Sequence, residues 1–230
     1  AIAYYTPDGS GGHLRPRNSK NTRQHQEFLD QFGDEPDSWR EVIDWFKTLP
    51  LWLDLEGLRV VHACWDAHAI SRIKERYGSE ALLTDELLHR SSSKGTWQYH
   101  ALETLLKGKE ITLPEGMHFH DKDGNIRHEI RVRWWGHGKT YRDVYMGPES
   151  AVTHIPDDPI RGDHMVEYGL YEKPVFLGHY WMEGEPMPLA NNIACLDYSV
   201  AKPGGKLVAY RWDGESTIRP ENYTWSDRID

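Results

Sequence analysis

Two stretches, Leu58-Arg-Val-Val-His-Ala-Cys-Trp-Asp66 and Lys173-Pro-Val-Phe-Leu-Gly-His-Tyr-Trp181, decide the fold class. In each, a short run of β-forming residues stops at a histidine: Val60 and Val61 before His62, and Val175, Phe176 and Leu177 before His179. Short apolar runs bounded by polar or turn residues are the pattern of buried strands, which points to an α/β protein. A histidine at the carboxyl end of such a strand leaves the core at the crevice where open α/β sheets take ligands. Imidazole is also the commonest side-chain ligand of transition metals. Two such positions in one domain would bring both rings to one sheet edge, which reads as a metal site. For each ring the plainer reading, a core histidine bonded to a backbone carbonyl, stands beside it.

Outward from the first stretch, Leu51-Trp-Leu-Asp-Leu55 and residues 58–64 flank a Glu56-Gly57 turn and predict a hairpin. Before it, residues 6–17 are rich in Gly and Pro and form a loop, and residues 19–32 read as one surface helix ended by Gly33. Asp37 and Ser38 are placed to cap a helix with Trp39, Val42, Ile43 and Phe46 on one face, stopped by Pro50. Helices are expected near 66–77, 84–91 and 96–107, with Gly78 and Gly108 as stops. The segment Asp121-Lys-Asp-Gly-Asn125 is a turn between residues 117–120 and an alternating strand over 126–134. Residues 136–172 show little periodicity and read as a loop-rich insertion in a single domain spanning 1–230. Strands at 174–178, 192–198 and 206–212 follow, the last two joined by Pro203-Gly-Gly205.

Composition narrows the class of function. A net charge of -9, with no basic patch, argues against nucleic-acid binding. No run of residues is long and apolar enough for a transmembrane helix, and no signal peptide is evident, so a cytoplasmic protein without a membrane partner is expected. Ten Trp and twelve Tyr argue for packed aromatic clusters. Cys64 and Cys195 lie in apolar segments and read as reduced, buried thiols; a disulfide between neighbouring strands is the other possibility.

Taken in order, Leu49-Pro-Leu-Trp-Leu53, Val61-His-Ala63, Phe176-Leu-Gly-His179, Cys195-Leu-Asp-Tyr-Ser199 and Gly205-Lys-Leu-Val-Ala209 resemble the calcineurin-like metallophosphoesterases. The nearest branch is that of bacterial serine/threonine phosphatases and dinucleoside tetraphosphate hydrolases. The resemblance covers residues 1 to about 215. It implies the C-terminal part of a four-layer α/β/β/α sandwich, with extra helices, built around two divalent metal ions (Mn, Fe or Zn). The implied substrate is a phosphorylated protein, a nucleotide or a dinucleoside polyphosphate. His62 and His179 carry over as metal ligands.

The family's earlier motifs, Asp-x-His, Gly-Asp-x-x-Asp-Arg-Gly and Gly-Asn-His-Glu, have no counterpart in context. Gly33-Asp-Glu-Pro-Asp37 and Asp66-Ala-His68 match only as letters, since each stands at a helix rather than after a buried strand. The chain therefore reads as the continuation of a longer one, with the family's general-acid histidine outside it and little activity expected alone. A non-catalytic module derived from the same fold is the alternative. A mononuclear metal protein using His62, His179 and His118 or His120 is a third.

Arg131 and Arg133 alternate with Ile130 and Val132, which puts both guanidinium groups on one side of a strand. Bidentate phosphate contact suits Arg, and the family places an Arg beside the scissile group. A solvated strand face explains the pair equally well. Tyr198 is expected at the site edge, and Asp197 is expected to steady a ligand imidazole. His118 and His120 read as a surface pair.

Overall fold

The computed structural model describes residues 1–33, 36–121, 124–162 and 165–229. Helices and sheets are mixed, in keeping with the α/β class. Contacts group the chain into two compact units: Ala1–Leu51 with Ile70–Leu102, and Trp52–Ala69 with Glu103–Asp230.

The first unit is helical. It holds α1 (Ile2–Tyr5), α2 (Ser19–Arg23), α3 (Gln26–Phe32) and α4 (Pro36–Thr48). The boundaries fall within α5 (Ala67–Tyr77) and α7 (Trp97–Lys107), with α6 (Asp85–Ser91) between them. Its core is Tyr4, Tyr5 and Ile43, with Phe28, Leu29, Trp39 and Phe46 packed against them. The helix expected over 19–32 breaks at His25, whose φ of -114° and ψ of 6° leave the helical region. That ring stacks on Phe28 with centroids 4.7 Å apart and lies 4.7 Å from the Tyr4 ring, so tertiary packing overrides a segment without Gly or Pro. Helix α4 starts at Pro36, a residue suited to a first turn, so Asp37 and Ser38 lie inside it rather than ahead of it. Asp34 and Glu35, on which part of the Gly33–Asp37 letter match falls, lie outside the described residues. Gly78 and Gly108 follow α5 and α7 with φ of 95° and 90°, the left-handed stops expected of them.

The second unit carries the strands. In chain order these are β1 (Trp52–Asp54), β2 (Arg59–Val61), β3 (Glu110–Thr112), β4 (Phe119–His120), β5 (Ile126–Arg127) and β6 (Glu129–Arg131). After them come β7 (Val175–Leu177), β8 (Ile193–Cys195), β9 (Asp197–Tyr198), β10 (Lys206–Tyr210) and β11 (Tyr223–Asp227). One sheet has the order β1-β2-β7-β8. The expected hairpin forms its edge, with Trp52 opposite Val61. The other pairings are parallel, Val60 facing Phe176 and Val175 facing Ile193. Strands β7 and β8 are buried at every residue, which their unbroken apolar letters require. A second sheet, β11-β10-β9, is antiparallel. Phe176 and Ala194 of the first sheet share a core with Tyr198, Val208 and Tyr223 of the second, joined by Ile218.

Two expected strands divide. The 126–134 run breaks at His128: β5 pairs with β4, and β6 pairs with β3. The 192–198 run splits at Leu196, leaving β8 in the first sheet and β9 in the second. Lys122, Asp123, Asp163 and His164, part of the expected turn and insertion, lie outside the described residues. The rest of the insertion has local structure. Helix α8 (Tyr141–Val144) is capped reciprocally by Thr140 and Asp143, and a 3₁₀ turn spans Glu149–His154. Both cysteines are free and buried, and burial pushes the Cys195 thiol up to about 11. Among the described residues no helix is long and apolar enough to cross a membrane.

Candidate functional site

Because β2, β7 and β8 run parallel, their carboxyl ends meet at one edge and deliver His62, His179 and Asp197 there. The two imidazole centroids are 5.3 Å apart. The Gly178 N–H donates to the His62 carbonyl at 3.0 Å, extending the β2–β7 ladder up to the histidines. At Gly178, β7 lies in ordinary contact with the chain after β8: a Cβ there would stand 3.4 Å from the Asp197 Cβ. Beyond the ladder the backbone is strained. His179, Trp181 and Ser199 have φ of 71°, 50° and 59°, a region that costs side-chain-bearing residues ~1–3 kcal/mol each and persists where surroundings enforce it.

The His179 ring bonds to the Lys107 backbone, yet its Nε2 is buried with no hydrogen-bond partner. The Lys107 bond therefore runs through Nδ1, whose N–H donates to the carbonyl. This fixes the tautomer and leaves the Nε2 lone pair free. Burial, then the charges of Arg131 and His62, bring the His179 pKa down to about 4 against the opposing pull of Asp197 and the Lys107 carbonyl. Loss of hydration through partial burial also lowers His62, with the Asp197 carboxylate pulling the other way. Both rings are thus neutral near pH 7, the form in which imidazole ligates a metal.

A cavity of about 1230 Å³ opens beside His179, walled also by Tyr180, Trp181 and Arg131. The Nε of Arg131 is buried and unpartnered, while its Nη2 lies 3.4 Å from Glu110 Oε1. His118 and His120 line the cavity from the β4 segment, and His154 lines it from the insertion. Lys202 stands 4.4 Å over the Trp181 ring at the same wall.

Of the residues singled out in the sequence, the structure brings His62, His179 and Asp197 together at the sheet edge, and Arg131 joins His179 in the wall of the cavity, which His62 does not line. Arg133 falls outside the cavity: β6 ends at Arg131, and the exposed Arg133 turns back to donate from Nε to the Tyr145 carbonyl at 3.1 Å. Tyr198 also lies away from the cavity. It is buried between the two sheets, where its hydroxyl accepts from the Met187 N–H at 3.0 Å, because β9 turns that face of the chain into the shared core. Asp66 acts as a helix cap, accepting from the Ala69 N–H at 3.0 Å, as befits a letter match without a site. His118 and His120 are an exposed pair with ring centroids 5.8 Å apart. Among the described residues no group of three or more His, Cys, Asp or Glu stands close enough to hold a metal ion, so no three-histidine site forms. Sequence reasoning missed Tyr180, adjacent to His179, and read the tryptophans only as packed aromatic clusters, with no separate role for Trp134.

Comparison with protein-family models, curated proteins and solved structures finds no match for this chain.

Proposed function

We propose that this chain carries part of the centre of a metal-dependent phosphoesterase of the calcineurin-like kind. Its substrate would be a phosphomonoester, on a protein or a nucleotide, or a dinucleoside polyphosphate. The observation that supports this most is the pairing of His62 and His179 on adjacent parallel strand ends, 5.3 Å apart, with one Nε2 buried and unpartnered. Two sheets sharing one core are also in keeping with the β layers of a four-layer sandwich.

In this reading His62 and His179 hold divalent cations, Mn, Fe or Zn. When bound, two such ions clamp phosphoryl oxygens and lower the pKa of a water for in-line attack. The Lys107 carbonyl orients the His179 ring, and the negative charge of Asp197 steadies both imidazoles. Arg131 offers its unpartnered Nε to a phosphoryl oxygen, its guanidinium already anchored by Glu110. Two imidazoles do not complete a two-metal centre, so the remaining ligands come from groups other than those described. The 230-residue chain alone is therefore expected to be nearly inactive.

The test is hydrolysis of p-nitrophenyl phosphate with added Mn²⁺ by the natural protein that contains this chain, compared with its His62→Ala and His179→Ala variants. Metal-dependent activity that falls at least a hundredfold in both variants supports the reading. Activity indifferent to both changes, or none with any metal, overturns it and leaves a non-catalytic binding module.

A further inference from the structure

Trp134 is 1% exposed, and its indole N–H is shared between two acceptors, the Ala63 carbonyl at 3.1 Å and the Tyr180 hydroxyl at 3.1 Å. Ala63 immediately follows His62, and Tyr180 immediately follows His179. One donor therefore bridges the two strand ends just past the two imidazoles. From this geometry we infer that Trp134 is a positioning residue, a clasp that sets the distance and orientation between His62 and His179. The inference rests on the reading of these histidines as metal ligands.

Each partner of the clasp is itself anchored. The Ala63 N–H donates to the Leu105 carbonyl at 2.9 Å. The Tyr180 hydroxyl lies so close to Gly108 that a Cβ there would come within 2.6 Å of it, and the Tyr180 ring packs edge-on against Trp135 with centroids 5.0 Å apart. Tyr180 also sits between the two left-handed residues, His179 at φ 71° and Trp181 at φ 50°. Strained backbone relaxes unless something over-determines it. The bond from Trp134 to Tyr180 acts within that segment, while the bond to Ala63 ties it to the strand that bears His62. A buried indole that merely needed a hydrogen-bond partner would be satisfied by one acceptor. Here both acceptors adjoin the histidines.

The experiment titrates Zn²⁺ into the chain by calorimetry and follows the backbone ¹³Cα and ¹⁵N shifts of His179, which report its positive φ. Trp134→Phe removes the N–H while keeping an aromatic ring. Tyr180→Phe removes one acceptor and leaves the Ala63 bond. Ile130→Val, at a fully buried position, controls for general loosening of the core. Trp134→Phe is expected to weaken Zn²⁺ binding tenfold or more and to move the His179 shifts, as outer partners of metal-ligating histidines typically do. Tyr180→Phe should fall between it and the wild type, and carries the test if Trp134→Phe does not fold. Ile130→Val should leave both readouts unchanged. Wild-type affinity and unmoved His179 shifts in Trp134→Phe, or in Tyr180→Phe should only that variant fold, would overturn the clasp. Zn²⁺ uptake that His62→Ala and His179→Ala leave unchanged would instead overturn the metal reading, and the shifts would still decide whether Trp134 holds the segment.

Discussion

The two ends of the β1-β2-β7-β8 sheet are built on opposite principles. At the amino ends of the parallel strands, polar groups find partners. Arg59, which opens β2, donates to the Tyr168 hydroxyl at 2.9 Å and to Glu172 at 2.8 Å, and Lys173, just before β7, bonds Asp54 at 2.9 Å. Asn192, just before β8, is buried and donates to the carbonyls of Gly169 at 2.9 Å and Glu172 at 3.1 Å. Past the carboxyl ends stand His179 Nε2 and Ser199 Oγ, buried without partners, and both residues, together with Trp181, are held at positive φ. Both ends belong to the same strands, so the local propensity to form β structure does not account for the difference. One end is arranged for stability, and the other retains unmet polar capacity and strain, in keeping with the ligand-binding role proposed for it.

The ends should separate under acid. His179 has its pKa lowered to about 4 in the folded chain against an ordinary 6.5, and His62 is lowered as well. The unfolded chain therefore binds more protons than the folded one below pH 6.5, so stability falls as pH drops from 6.5 through 4. For His179 the loss in the metal-free chain is up to ~3 kcal/mol. Asp54, at the other end, has its pKa lowered by Lys173 and Arg59 against the opposing effect of burial, so its contribution is lost only below about pH 4. Urea unfolding at several pH values, for wild type and His179→Gln, should show a difference that shrinks between pH 6.5 and 4 and flattens below. An identical slope in the two proteins across that window would remove the distinction between the ends.

A smaller effect is expected from the satisfied end. Asn192→Ala strips two backbone carbonyls of their donor in a site 2% exposed, which should cost ~2 kcal/mol of unfolding free energy. Zn²⁺ affinity should stay at the wild-type value, because the substitution lies at the opposite end of the strands from both histidines. A fall in affinity that exceeds the loss of stability would mean the two ends are coupled through the sheet.

What the letters disclosed follows the same division. The hairpin of β1 and β2, the buried β7 and the glycine stops at 78 and 108 were legible because each rests on a local pattern: an apolar run, a turn pair, a positive φ that glycine tolerates. The placement of His62 and His179 followed from strand ends alone. Strand β3, with one buried residue in three, and the largely exposed β11 carry too little periodicity to be read. The break at His25 depends on the Tyr4 and Phe28 rings, which the local pattern does not mark. Arg131 and Arg133 looked equivalent by alternation. Only the end of β6 at Arg131 and the hydrogen bond from Arg133 to the Tyr145 carbonyl part them. The aromatic residues were legible as packed clusters, but Trp134 was not legible as a donor shared between two strand ends, because that role depends on two acceptors 71 and 46 positions away.

The strain itself gives the finest test. His179→Ala and His179→Gly both remove the imidazole, so they lose its packing and its ligand capacity alike. They differ in whether the backbone at φ 71° is tolerated. Alanine keeps a Cβ that resists the left-handed region, whereas glycine does not, so the glycine variant should be the more stable by ~1 kcal/mol if the segment retains its native course. At Arg59, in extended strand β2, the same pair should reverse, with glycine less stable than alanine by ~0.5–1 kcal/mol through the entropy it loses on folding. Chemical denaturation of the four variants measures both differences. Opposite signs at the two positions would locate the strain at the histidine end; the same sign at both would mean that the chain after β7 relaxes once the ring is gone, making the imidazole rather than its surroundings the group that holds the turn.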